Sequence, residues 1–229
     1  MQRDRTEASS RPYVLLNSAM SLDGKIATSG GESRLSSLED LHRVHRIRAK
    51  VDGIMIGIGT LLADNPKLTV KLAMGNNPQR IVVDSKARTP MDAHVVATAL
   101  ETPTIIAVTS TASARRVQKL RKAGVTVLRC GKGPLVSLPI LMRRLRARGI
   151  EQILLEGGGT LSWSMLSKGL VDEISVAITP RILGGADATT LVEGEGLKRV
   201  KNAIRLRLTS VKKYGEDMVL RYRVLSREK

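Results

Sequence analysis

Apolar runs of three to seven residues alternate with amphipathic helical patterns along most of the chain. Such short runs rich in Val, Ile and Leu are typical of strands that are buried in a parallel sheet. They predict strands at 13–17, 52–57, 80–83, 104–108, 126–128, 153–155 and 172–178. Two further segments, 204–211 and 218–224, flank Tyr214 and Gly215 and predict an antiparallel pair. The expected fold class is therefore α/β, with a mixed, mostly parallel sheet flanked by helices and antiparallel C-terminal strands.

Helices are predicted between these strands, at about 112–122, at about 138–148, after a cap at Thr160, and after a capping box at Ser36–Glu39. In the helix that follows the capping box, the apolar positions predict the face that packs on the sheet: Leu41, Val44, Ile47 and Val51. Its other face carries His42, Arg43, His45, Arg46 and Arg48. We interpret this polar face as solvated, because no third ligand accompanies the two histidines and a metal site needs one.

Composition narrows the class of protein. The chain has 38 Lys and Arg against 21 Asp and Glu, a net charge of +17, but these basic residues are spread over several helix faces. We therefore expect solvated surfaces, and nucleic acid is not an expected partner. The single cysteine, Cys130, excludes an intrachain disulfide and a cysteine-cluster metal site, so no metal is expected.

The sequence also predicts the domain organisation and the cellular location of the protein. The segment 1–11 is polar and charged and is expected to be a flexible tail, and 12–229 is expected to form a single domain without a linker. The most apolar stretch, 51–63, is too short and too rich in glycine to span a bilayer. We expect a cytoplasmic protein that does not associate with a membrane.

One strand end carries the strongest chemical signal. The apolar run 153–155 stops at Glu156, and three glycines follow, Gly157, Gly158 and Gly159. Glycine lets backbone N–H groups approach an anion closely, and the N-terminus of a helix attracts negative charge. The segment predicts a cofactor phosphate site beside an acid, although a tight turn would leave the same pattern.

Other strand ends carry similar groups, at 17–25, 57–64 and 84–88. The carboxyl ends of parallel strands share one edge of the sheet, so these segments are expected to line a single crevice. Asp23, Asp64 and Glu156 would supply acid, base or hydroxyl-binding groups there. Ser85, Lys86 and Arg88 would suit the 2′-phosphate of an adenosine, and the alternative for these three residues is an ordinary surface turn.

Four segments carry a resemblance to a known family: 17–27, 51–70, 80–85 and 154–160. In this order they resemble the reductases of riboflavin biosynthesis, which have a dihydrofolate-reductase-like fold. The likeness extends from about Pro12 to Val224. Bacterial relatives are often fused to a zinc deaminase, and this chain lacks the histidine and cysteine motifs of that domain.

The resemblance implies reduction of the ribosylamino group of a 5′-phosphorylated diaminopyrimidinone to a ribitylamino group, with NADPH as cofactor, NADH as its alternative, and a homodimer. The implied cofactor-binding residues are Thr60, Asp64, Ser85, Gly131, Leu155, Gly157, Gly158 and Gly159. The implied substrate-binding residues are Asn17, Ser33, Arg48, Leu68, Lys71 and Glu156. Glu156, Asp64 and Asn17 are the candidate catalytic residues. Two positions depart from the bacterial pattern, since Asn17 stands where bacterial members have Lys and Lys71 stands where they have Arg.

Two alternatives stay open at this stage. A dihydrofolate or other pterin reductase would share the fold and the cofactor. A basic nucleic-acid-binding protein would account for the net charge of +17.

Overall fold

The computed structural model of the protein describes residues 10–225, and all nine strands of this part belong to one sheet. The strands are β1 (Tyr13–Ser21), β2 (Gly53–Gly57), β3 (Gln79–Val83), β4 (Thr104–Val108), β5 (Thr126–Arg129), β6 (Gln152–Leu155), β7 (Glu173–Thr179), β8 (Leu206–Tyr214) and β9 (Asp217–Val224). The helices are α1 (Leu38–Arg48), α2 (Ile58–Asp64), α3 (His94–Ala97), α4 (Ala114–Lys122), α5 (Leu138–Arg146) and α6 (Gly159–Ser167), with a 3₁₀ turn at Val200–Asn202.

The order of strands across the sheet is β5-β4-β3-β2-β6-β1-β7-β9-β8. Neighbouring strands from β5 to β7 are parallel, while β9 runs antiparallel to both β7 and β8. The hairpin turns at Gly215, whose φ of 57° is readily adopted by glycine. The predicted fold class, including the antiparallel C-terminal strands, is confirmed.

Helices cover both faces of the sheet. One core contains α5 and α6 packed on Val14, Leu16 and Leu155, and the other contains α2, α3 and α4 packed on Leu15 and Leu154. Consecutive residues of β1 and β6 thus face opposite cores, because side chains alternate along a strand. This alternation decides which face of the sheet the residues at the strand ends occupy.

Two predicted helix starts were wrong by one or two residues. Helix α1 is capped by Ser37, whose hydroxyl accepts from the N–H of Asp40, so the capping pair is Ser37 and Asp40 and not Ser36 and Glu39. Helix α6 is preceded by Gly158 at its N-cap, and the hydroxyl of Thr160 lies instead by Glu193.

The solvated face predicted for α1 was also wrong at several positions. Asp40, Arg43, Val44 and His45 are the buried residues of this helix, whereas Leu41 is 41% exposed. Helix α1 therefore turns a largely polar face toward the sheet, and the residues beneath it explain why.

Residues 1–9 of the predicted tail lie outside the described residues. Arg11 donates to both carboxylate oxygens of Asp172, at 2.8 and 3.0 Å. None of the helices within residues 10–225 is long and apolar enough to cross a membrane.

Candidate active site

A row of polar side chains crosses three neighbouring strands beneath α1. Leu16 of β1 pairs with Leu155 of β6, so the next residues, Asn17 and Glu156, lie side by side where β6 ends. On the other side of β1, Asn17 pairs with Ser175 of β7. Because Asn17 and Glu156 each follow a residue that faces the α5–α6 core, both side chains point to the opposite face, under α1. The row Glu156–Asn17–Ser175 is the polar surface that α1 covers.

Arg48, in the last turn of α1, holds Glu156 in a bidentate ion pair. Its Nε donates to Oε1 at 2.8 Å and its Nη2 to Oε2 at 2.7 Å, while Nη1 donates to the carbonyl of Thr69 at 3.1 Å. Burial alone would lower the pKa of Arg48, but the Glu156 carboxylate outweighs burial and the pKa is raised. Each oxygen of Glu156 accepts one bond from Arg48 and keeps a lone pair for a ligand.

Arg43 lies further toward the start of α1 and serves the rest of the row. Its Nη2 donates to Oδ1 of Asn17 at 2.9 Å, and its Nη1 donates to the hydroxyl of Ser175 at 3.0 Å. Its Nε donates to Oδ1 of Asp40 at 2.6 Å. The two arginines of α1 thus bind different parts of the row: Arg48 binds the carboxylate of Glu156, and Arg43 binds the Asn17 amide and the Ser175 hydroxyl.

His45 lies on the same helix and fixes the segment that follows α2. Its Nδ1 accepts from the backbone N–H of Lys71 at 2.9 Å, which requires an unprotonated nitrogen. Burial, followed by the charge of Arg48, lowers the pKa of His45. Lys71 is exposed, whereas the side chain of Leu68 is buried in the core and its φ is 52°. Any contact of Leu68 with a substrate therefore involves its backbone.

A groove of about 730 Å³ opens beside this row, at the carboxyl ends of β2 and β3. It is lined by Gly57, Ile58, Gly59, Thr60, Val83, Ser85, Lys86, Arg88, Pro134, Leu135, Val136, Leu138, Gly158, Thr160, Leu161, Ser164 and Lys168. The lining combines apolar walls with a few polar and cationic groups, which is the usual character of a cofactor site.

Of the three consecutive glycines, Gly158 lines the groove, and Gly157 lies beside it against Thr60. A Cβ on Gly158 would lie 3.1 Å from Oγ1 of Thr60, and one on Gly157 would lie 3.4 Å from the same atom. Gly158 has a φ of 81°, and no side chain caps the start of α6. A phosphate-bearing cofactor fits this arrangement, because bare backbone faces it at the N-terminus of a nine-residue helix.

Gly159 serves a different purpose. A Cβ there would come within 2.6 Å of the carbonyl oxygen of Thr190, and the N–H of Glu193 donates to the carbonyl of Gly159 at 3.1 Å. The connection between β7 and β8 thus lies directly on the first turn of α6. This close approach accounts for the glycine without a cofactor.

The outer end of the groove is cationic. Lys86 and Arg88 are exposed on its rim, and Lys168, at the end of α6, lines it too. Lys168 was not predicted as a site residue, because it follows the last turn of α6 and does not lie at the end of a strand. Ser85 accepts from the N–H of Val136 at 3.0 Å and so fixes the loop that forms one wall.

Gly131 and Leu155 support the groove from behind. The carbonyl of Gly131 accepts from the N–H of Ser110 at 2.9 Å, and its φ of 112° turns the chain toward the wall loop. The side chain of Leu155 is fully buried, so only its backbone faces a ligand.

Asp64 lies one turn beyond Thr60 on α2 and accepts from the hydroxyl of Ser33 at 3.2 Å. Both side chains are exposed, and their contact brings the loop between β1 and α1 to the end of α2.

Asp23 has a structural role. It accepts from Ser21 and from the N–H groups of Leu183 and Gly184, and these bonds lower the pKa of Asp23 to about 2. Asp23 anchors a loop in its ionised form and is not available as an acid.

Within residues 10–225, no group of three or more His, Cys, Asp and Glu side chains is arranged to hold a metal ion. His42 is exposed with its ring against the carbonyl of Leu72, while His45 is buried, so the two histidines of α1 have separate partners.

The parallel sheet, its antiparallel hairpin and the groove at the strand ends define a dihydrofolate-reductase-like protein. Dihydrofolate reductase from Enterococcus faecalis has the same fold, with a TM-score of 0.53 at 12% identity over 93% of this chain and 97% of that chain. The family model described as the RibD C-terminal domain matches residues 12–220. This chain belongs to that family.

Two relatives illustrate the range of the family. The 2,5-diamino-6-ribosylamino-4(3H)-pyrimidinone 5′-phosphate reductase of Methanothermobacter thermautotrophicus is 51% identical over 217 residues, which are 93% of this chain and 99% of that protein. A solved structure of Acinetobacter baumannii RibD is 28% identical with a TM-score of 0.80, and the match covers 95% of this chain and 59% of that one. The chain therefore spans nearly all of one relative and a little over half of the other.

Proposed function

We propose that this protein is an NADPH-dependent oxidoreductase that reduces the ribosylamino group of a 5′-phosphorylated diaminopyrimidinone to a ribitylamino group, a step in riboflavin biosynthesis. The proposal is supported by the name of the archaeal relative, which is 51% identical and matches along 99% of its own length. The observation that carries it is the turn at residues 156–158. Glu156 of this turn pairs with Arg48, and Gly158, two residues later, lines the groove.

In this proposal a nicotinamide cofactor lies in the groove and supplies a hydride. Gly157, Gly158 and Thr60 hold its pyrophosphate at the start of α6. Lys86 and Arg88 favour NADPH over NADH, because cations on the rim of the groove would pair with a 2′-phosphate. Ser85 and Gly131 keep the wall of the groove in position.

The substrate lies at the Glu156 end of the polar row, next to the groove. The remaining lone pairs of Glu156 accept from hydroxyl or amino groups of the substrate, while Asn17 and Ser33 add further polar contacts. Lys71, exposed beside His45, is a cation suited to the 5′-phosphate.

When the ribose ring of the substrate opens, the ribosylamino group becomes a Schiff base with a C=N bond. Reduction of this bond needs a proton as well as a hydride. Glu156 accepts from Arg48 with both oxygens, so we assign it to binding and electrostatic stabilisation. The proton then comes from a water molecule at the row, and we assign Asp64 to orienting that water.

The test is a direct assay. Purified protein, NADPH and the ribosylamino-pyrimidinone phosphate are mixed, and the nicotinamide absorbance is followed. We expect saturable oxidation of NADPH, slower oxidation of NADH, and none with dihydrofolate as substrate. Turnover of dihydrofolate alone would replace the proposal by a pterin reductase. Tight polyanion binding with a steep salt dependence and no turnover would favour the nucleic-acid alternative.

We also propose a homodimer, formed by the exposed side of the β8–β9 hairpin. Leu206, Leu208 and Val211 lie in β8 and Met218 lies in β9, and each is exposed. The strand β8 is also an open edge of the sheet, so a second copy of this chain would cover apolar surface and edge together. Sedimentation of the purified protein tests this, and a monomer at micromolar concentration would contradict it. Cytoplasmic location stays a prediction.

A further inference from the structure

We infer that Arg43 is a positioning residue, which turns the amide of Asn17 so that its Nδ2 amino group faces the substrate. The inference rests on the proposed function and adds to it. It assigns Asn17 the role of a hydrogen-bond donor to an oxygen of the phosphoribosyl group. Arg43, on the neighbouring helix α1, sets the orientation that this role requires.

The orientation of the Asn17 amide follows from donor and acceptor chemistry. A guanidinium carries only donors, whereas the amide of Asn carries an acceptor oxygen and a donor nitrogen. Arg43 Nη2 lies 2.9 Å from the Asn17 side chain, so the oxygen must face the arginine. The opposite rotamer would set two donors against each other. The amino group is therefore turned away from Arg43.

Arg43 is itself held firmly enough to impose this choice. It is 7% exposed and donates to Asp40, which is 1% exposed, and to Ser175. Its guanidinium also lies 5.8 Å from the ring centroid of Tyr214. Asp40 accepts in turn from the hydroxyl of Ser36 at 2.8 Å. A buried charge with its counterion and all three nitrogens bonded has little freedom to move.

The Asn17 amino group lacks an internal partner. Asn17 is 6% exposed, and its Nδ2 makes no hydrogen bond to any residue between 10 and 225. This nitrogen is not one of the fully enclosed unpaired atoms of residues 10–225, so it keeps a narrow access to solvent through which a ligand can reach it. Asn17 lies in the middle of β1, beside the carboxylate that follows the end of β6. A donor in this place suits a hydroxyl or phosphate oxygen of the substrate.

The arrangement also restricts the chemistry of Asn17. An amide does not release a proton near neutral pH, so Asn17 orients the substrate and is not the acid. The predicted catalytic role of Asn17 is thereby narrowed to binding and alignment.

The test is a double-mutant cycle on the proposed reaction, with Asn17→Ala, Arg43→Gln and the double variant. Gln can present either its oxygen or its nitrogen to Asn17, so it removes the imposed orientation. We expect each single substitution to raise KM at least about tenfold with a smaller effect on kcat, and the double variant to match Asn17→Ala. Additive losses would overturn the inference, because Arg43 would then act independently of Asn17.

Two controls separate positioning from folding. Arg46→Gln changes an exposed arginine of the same helix and should leave KM unchanged. Arg43→Lys keeps a donor-only cation beside Asp40 and should recover most of the wild-type KM. If Arg43→Gln is unstable in thermal unfolding, a folded Arg43→Lys variant with a KM as poor as that of Asn17→Ala would contradict the inference equally well.

A binding measurement keeps this inference distinct from the proposed activity. The side-chain amide of Asn17 is observed by NMR in protein with ¹⁵N-labelled asparagine, with ribose 5-phosphate as the probe. We expect the probe to shift this signal in the wild type and not in Arg43→Gln. A wild type without turnover would end the proposed function, whereas turnover without this shift would end the role given to Asn17 and Arg43.

Discussion

Helices α1 and α5 cover opposite faces of the sheet and bury opposite kinds of side chain. Helix α5 buries Leu138, Leu141 and Leu145 and leaves Arg143 and Arg144 exposed. Helix α1 buries a carboxylate, a guanidinium and an imidazole. The difference lies in the strands beneath, since α5 packs on apolar side chains whereas α1 covers the polar row Glu156–Asn17–Ser175. A helix turns toward the sheet the face that satisfies the surface it covers.

The largest effect is expected where the polar face of α1 meets the site. Glu156→Gln keeps the shape of the side chain but removes the charge that pairs with Arg48. We expect kcat to fall by about 10²–10³-fold, a typical loss when one electrostatic contact to a reacting group is removed. NADPH affinity, measured by titration, should stay within about twofold, because the groove is left intact.

The matched control is Glu151→Gln, which removes a carboxylate just before the opposite end of β6. It should keep turnover near that of the wild type. Equal losses in both variants, or unchanged turnover in Glu156→Gln, would remove Glu156 from the chemistry.

The next effect contrasts two leucines that the hydrophobic pattern treats alike. Leu141 of α5 is fully buried, and Leu41 of α1 is 41% exposed. Leu141→Ala should lower the free energy of unfolding by about 2–5 kcal/mol, and Leu41→Ala by less than about 1 kcal/mol. Urea unfolding measures both. Similar losses would mean that the apolar side of α1 packs as the pattern predicts.

The smallest effect concerns pH. Burial lowers the pKa of His45 from its ordinary value of 6.5, so the unfolded chain takes up a proton more readily than the folded protein. The contribution of this group to stability is complete above about pH 6.5 and is lost as pH falls from there through the lowered pKa of His45 in the folded protein.

We therefore expect the free energy of unfolding to decrease on acidification, and His45→Gln to decrease less. Gln can still accept from the N–H of Lys71 but does not titrate. His42→Gln, on the exposed side of the same helix, is the control that should follow the wild type. An identical pH dependence in all three proteins would show that His45 is not responsible.

Much of the fold could be predicted from local patterns. The predicted strands correspond to the nine strands of residues 10–225, and Tyr214-Gly215 located the hairpin turn, because each signal lies within a few neighbouring residues. The turn at Glu156–Gly158 was recognised for the same reason. These features depend on backbone conformation and burial, which sequence patterns report directly.

The polar network could not be predicted in this way. Arg43 contacts Ser175, 132 residues away, and this contact depends on the register between β1 and β7. The pattern offered Arg43 only as a charged residue on a helix, and such residues are mostly solvated.

The β7–β8 connection packs directly on Gly159, and this contact limits which residues near the groove can be substituted. With the carbonyl of Thr190 closer than 3 Å to any added methyl group, enlarging residue 159 would lift the overlying segment and disturb the rim on that side. Lys86 and Arg88 also line the groove but are exposed, and within residues 10–225 their charged groups bond to no neighbouring backbone. An engineer who wishes to exchange one nicotinamide dinucleotide for the other should vary those two cations and leave the glycine run untouched.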